Sequence, residues 1–127
     1  MMTRRQGIES KEVEQPHTPI VIEVLCPGMA SAEAIAAALV GERLAGAVNI
    51  SAPVRSHYVW QGEPVWREET GLTIKTRAAL FGAVAAEVRR LHPYAVPSIL
   101  ARPVGQADQA YLDWILEATR RADGRSI

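Results

Sequence analysis

Four residues in this chain have the chemistry of a site: Cys26, Glu69, Lys75 and His92. A thiolate is a soft metal ligand and an imidazole a borderline one. Each residue also has a plainer reading. Cys26 ends an apolar run and can be a small buried hydrophobe. His92 follows a helical pattern, where a cation suits the C-terminal dipole, so it can simply cap the helix. Lys75 can be solvated. Glu69 and Lys75 share strand parity, but six residues at ~3.3 Å place them about 20 Å apart. They can act together only across a subunit seam, or if a bulge at Gly71 bends the strand.

Familiar catalytic loops are missing. The chain contains no G-x-G-x-x-G, no G-x-x-x-x-G-K, no G-x-S-x-G, no H-E-x-x-H and no C-x-x-C. No enzymatic activity is expected. Lys plus Arg and Asp plus Glu number 14 each in 127 residues. That balance advertises neither nucleic acid nor a membrane surface. Cys26 is the only cysteine, so no intrachain disulfide forms, which suits a reducing compartment. The first residues lack the apolar core of a secretory signal, and no apolar stretch nears the ~20 residues of a spanning helix. A cytoplasmic location is the expectation.

The elements that must position these residues are legible from periodicity. Residues 1–18 are polar and aperiodic and predict a flexible tail, with His17 solvated in it. Pro19 to Cys26 is a β-branched run ending at Pro27-Gly28, as a central buried strand would. Ser31 can cap a helix carrying Ala34, Ile35, Ala38 and Leu39. Ala47 to Trp60 alternates, with Val48, Ile50, Ala52, Val54, Ser56, Tyr58 and Trp60 on one parity. Gln61-Gly62 is a two-residue hairpin signal, and Glu63 to Thr76 returns, with Gly71 marking a possible bulge site. A second helix spans about Ala78 to Leu91, with Phe81, Val84, Val88 and Leu91 as its stripe, and His92-Pro93 stops it. Ser98 to Val104 is a short strand, Asp108 can cap a third helix, and residues 122–127 fray.

This order folds as a β-α-β-β-α-β, ferredoxin-like α+β sandwich: one domain over residues 19–121 with an added C-terminal helix. Its four-stranded antiparallel sheet has the first and third strands central. The second strand, about 14 residues long against a usual 5–6, is then an edge. Long apolar edges invite pairing with another chain. Its end gathers Tyr58, Val59 and Trp60, with Trp66 across the hairpin. These aromatics can fold back on their own domain, but a protruding hairpin has little core to reach, and docking on a second subunit accounts for them better.

Glu42-Arg43-Leu44-Ala45-Gly46-Ala47-Val48-Asn49-Ile50, Tyr58-Val59-Trp60-Gln61-Gly62, Glu69 with Lys75-Thr76, His92-Pro93-Tyr94-Ala95-Val96-Pro97-Ser98-Ile99 and Tyr111-Leu112-Asp113-Trp114 occur in that order. This pattern, over roughly residues 19 to 118, resembles the CutA divalent-cation tolerance family. The resemblance implies a ferredoxin-like subunit, a homotrimer joined by long strands, and a link to tolerance of divalent metals, especially copper. It implies no catalysed reaction. It also implies Cys26 and His92 as metal ligands, while Gly46 and Ala47 stand where a further cysteine often lies.

Two functions therefore compete. The first is a trimeric metal-response protein binding copper or another divalent metal through Cys26 and His92, which the topology allows to approach. The second is a trimeric small-molecule sensor or signalling protein whose intersubunit cleft gathers Trp60, Glu69, Lys75, His92 and Tyr94. An RNA-binding domain of the same topology ranks last: the single Phe81 sits on a helix and net charge is zero. No nucleic-acid or membrane partner is expected, and no cofactor is needed for folding.

Overall fold

The computed structural model describes residues 16–120. The expected tail falls within them only at Pro16–Thr18, and the expected frayed end lies outside them. Pro16–Thr18 is fastened to the domain. The carbonyls of Pro16 and Thr18 accept bonds from the Ala79 and Ala78 N–H groups at 3.1 and 2.8 Å. His17, expected to be solvated in a free tail, stays exposed, but its Nδ1 accepts a bond from the Arg77 guanidinium at 3.0 Å.

The elements are β1 (Pro19–Cys26), α1 (Met29–Gly41), β2 (Ala47–Trp60), β3 (Glu63–Arg77), a 3₁₀ turn (Ala78–Leu80), α2 (Phe81–Leu91), β4 (Leu100–Pro103) and α3 (Gln109–Ala118). The strands form one antiparallel sheet in the order β2-β3-β1-β4. This is the predicted split β-α-β-β-α-β arrangement, with β1 and β3 central. Among the described residues no helix is long and apolar enough to cross a membrane.

β1 is central but buried on one face only. Ile20, Ile22, Val24 and Cys26 point inward, whereas Val21, Glu23 and Leu25 are half-buried on the other side. The inward set meets Leu72 and Ile74 of β3, Ala32, Ile35 and Leu39 of α1, and Val84 and Val88 of α2. Each such aliphatic side chain taken from water contributes roughly 1.5–3 kcal/mol. The sheet's second face, here the open face, is not covered by α1 or α2.

Helix α1 starts two residues before the expected cap. Gly28 is the N-cap and makes no side-chain cap bond, while the Ser31 hydroxyl donates back to the Gly28 carbonyl at 3.3 Å. Ala32 thus takes the packing position expected of Ala34, which is exposed. Helix α2 ends where His92 turns extended (φ −83°, ψ 135°), as the residue before Pro93 must.

The β2–β3 hairpin turns at Gln61 (φ 51°) and Gly62 (φ 82°), the paired positive φ of a type I′ turn. Farther down, Ile50 opposes Leu72 but Pro53 opposes Thr70, so β2 carries one extra residue at Ser51–Ala52. The glycine read as a bulge marker, Gly71, lies opposite this bulge rather than in it. The inserted residue also overturns the single apolar face expected of β2. Val48 and Ile50 face the helices, and beyond the bulge Val54, Ser56, Tyr58 and Trp60 face the open side.

At the far end α3 closes against β3. Buried Arg77 donates from Nε to the Thr119 hydroxyl and from Nη2 to the Thr119 carbonyl, both at 3.0 Å. Asp108 is the N-cap of α3, as expected, but its side chain makes no cap bond.

The bulge depends on Gly71. Its N–H donates to Ser51 Oγ at 3.0 Å, and a β-carbon there would sit 2.7 Å from that oxygen. Gly71→Val should destabilise the fold by about 1–3 kcal/mol, read as a lower denaturant midpoint. An unchanged midpoint would show that the bulge tolerates a side chain.

Candidate functional site

The site is built where β1 outruns β4 on one side while it stays paired with β3 on the other. β4 pairs with β1 only as far as Glu23, opposite Leu100. The main chain of Leu25 is therefore left for the loop between α2 and β4. His92 Nε2 donates to the Leu25 carbonyl at 2.8 Å, and the Leu25 N–H donates to Ser98 Oγ at 3.3 Å. The second imidazole nitrogen, Nδ1, accepts the Tyr94 N–H at 3.1 Å. One nitrogen donates and the other accepts, which is the neutral Nε2–H imidazole with both positions taken.

These bonds carry Tyr94 round the end of β1 onto the open face. Its hydroxyl donates to Glu69 Oε2 at 2.8 Å, and its ring lies 4.7 Å from that of His92. The Arg67 guanidinium sits over the Tyr94 ring, 5.0 Å from its centre. Burial, then the bond to Glu69, pushes the Tyr94 phenol up to about 12. Glu69 itself is 5% exposed. Oε1 of Glu69 has no hydrogen-bond partner among the described residues.

A cavity of about 640 Å³ opens here, walled by Leu25, Tyr58, Trp60, Arg67, Glu69, Tyr94, Val96 and Ser98, among others. It falls within the usual 300–1,000 Å³ of small-molecule sites and has their make-up, apolar and aromatic walls with a few polar groups. Trp60, Glu69 and Tyr94 are thus brought together. Lys75 lies on the same strand parity, opposite Ala47, but does not line the cavity. Arg67 was not singled out from the sequence, although alternation from Glu69 puts it on the same face.

Cys26 is on the opposite, inward side, with no exposed surface. Burial pushes its thiol up, the Ser31 hydroxyl opposes this, and the Glu69 charge adds to it. His92 acts on the main chain beside it, at Leu25. Among the described residues no three of His, Cys, Asp and Glu come together as a metal site would require.

Residues 20–118 match the family model described as CutA1 divalent ion tolerance protein. The chain is 43% identical over 99 residues to the divalent-cation tolerance protein CutA of Thermus thermophilus, covering 78% of this chain and 96% of that one. It is 38% identical over 96 residues to mouse protein CutA, covering 76% of this chain but 54% of the longer mouse protein. Solved structures agree. The divalent cation tolerance protein of T. thermophilus superposes with a TM-score of 0.78 at 42% identity, over 80% of this chain and 98% of that one. CutA1 of Oryza sativa gives 0.78 at 34% identity, over 82% and 97%.

The Tyr94 phenol supplies a pH test. Its folded value lies above the ordinary value of about 10, so the stability it contributes is complete below pH 10. That contribution is lost as pH rises through about 12. Tyr94→Phe should therefore narrow the stability gap to the parent between these values, measured by urea unfolding. A gap constant across the range would mean that the phenol does not titrate differently on folding.

Proposed function

Because the chain belongs to the CutA1 divalent ion tolerance family, we propose that it acts in divalent-cation tolerance as a homotrimer, through a ligand cleft on the open face of its sheet. The observation that carries the cleft is the buried Glu69 carboxylate facing an aromatic-walled cavity. The metal response would then run through a small molecule or an assembly state rather than through a metal cage within one subunit.

Assembly is supported by surfaces that a lone chain leaves open. β2 is a sheet edge 14 residues long. Around the hairpin tip, Val59, Trp66 and Trp60 are 71%, 56% and 47% exposed. A closed ring of three copies covers such an edge without leaving a free end for further growth.

A second reading has copper, or another divalent metal, held by Cys26 and His92. In its favour, His92 grips the carbonyl of Leu25, the residue next to Cys26. A metal there must release either the Leu25 carbonyl or the Tyr94 amide to free a ring nitrogen, and must deprotonate a thiol that burial keeps neutral.

Light scattering at micromolar concentration should give three subunit masses, and Trp60→Ala should weaken assembly by ~2 kcal/mol. A folded monomer would sink the trimer. For the metal, Cys26→Ser and His92→Ala should leave any cuprous affinity unchanged. A loss in both variants would move the second reading ahead of the cleft.

A further inference from the structure

On the reading that the open-face cavity is a ligand site, we infer that its ligand is a small organic cation, a protonated amine joined to a flat or apolar body. Glu69 carries the inference. Its carboxylate is 5% exposed and lines the cavity, and it gives only Oε2 to the Tyr94 hydroxyl. A carboxylate withdrawn from water needs donors for its remaining lone pairs, and Oε1 has none among the described residues. Arg67 stands two residues away on the same face, yet its guanidinium lies over the Tyr94 ring and forms no ion pair with Glu69. Among the described residues Glu69 Oε1 is therefore an unpartnered acceptor on the cavity wall, which the donors of Arg67 and Ser98 do not reach.

The walls choose among cations. Tyr58 and Trp60 bring aromatic rings to the cavity beside Tyr94, whose own ring already carries the Arg67 guanidinium, and Leu25 and Val96 add apolar surface. Aromatic faces attract an ammonium group and cover a flat ligand body. A bare divalent ion needs several oxygen or nitrogen ligands, and no set of three acidic, histidine or cysteine side chains is present among the described residues. An anion would meet the Glu69 charge, and among the described residues lining the cavity only the exposed Arg67 and His57 could offset it.

The probes are 2-phenylethylamine and its anionic counterpart phenylacetate, titrated calorimetrically into the full chain in its assembled state at neutral pH. The amine should bind, and phenylacetate should bind at least tenfold more weakly. Glu69→Gln should reduce amine affinity at least tenfold. Tyr58→Leu, which leaves the carboxylate in place, should reduce it severalfold. Equal or tighter binding of phenylacetate, or an unchanged amine affinity in Glu69→Gln, would overturn the cationic assignment and leave the cavity standing as a ligand site. No heat with either probe would overturn both. In that case, non-additive losses of assembly in Glu69→Gln and Lys75→Met would identify Lys75 of a neighbouring copy as the missing donor.

Discussion

One inserted residue governs the surface chemistry of this fold. Side chains on a strand alternate strictly, so a single extra residue sends everything beyond it to the other face. In β2 that residue falls at Ser51–Ala52. Below it, Val48 and Ile50 complete the core beneath the helices. Above it, Tyr58 and Trp60 leave that side and become walls of the open-face cavity. Without the bulge their rings would project to the helix side, and the cavity beside Glu69 would lose its β2 wall. The cost falls on β3: a β-carbon at Gly71, opposite the bulge, would displace the Ser51 hydroxyl that the Gly71 N–H now bonds.

A second economy lies in the loop after α2. β4 is too short to pair with the last residues of β1. Main-chain groups left unpaired in the interior cost on the order of 1–3 kcal/mol each. His92 and Ser98 meet this need with side chains, and in doing so anchor the loop that delivers Tyr94. The imidazole thus has a structural duty at both ring nitrogens. Its position at the end of α2 follows from Pro93, which forbids another helical turn.

Much of this was legible beforehand. Strand order follows from the element order and right-handed crossovers, and the hairpin from alternation on either side of Gln61-Gly62, where Gly62 readily takes the positive φ of the turn. The bulge was not legible. Val48, Ile50, Ala52 and Val54 keep an unbroken apolar rhythm through it, and only the pairing with β3 reveals the slip. The site was half legible. Trp60, Glu69 and Tyr94 stood out, yet Arg67 did not, because charge on a hairpin reads as a solvated face. Residue type left two readings open at His92, a helix cap and a metal ligand. Imidazole chemistry suggests a ligand, whereas the hydrogen bonds at both nitrogens come from knowing where Leu25 and Tyr94 lie.

The strand order has a consequence for how the chain is made. β1 is central, but its two neighbours are β3 and β4. Pro19 finds its partner at Arg77, and Ile20 finds its other partner at Pro103. During synthesis β1 emerges first and waits. At roughly 5–20 residues per second, several seconds pass before β4 leaves the ribosome. The hairpin of β2 and β3, joined by a two-residue turn, can close long before then. The nascent chain therefore carries an unpaired β-branched strand, with Glu23 as its one charged residue, until β3 is made about fifty residues later, and that strand keeps one open edge until β4 follows.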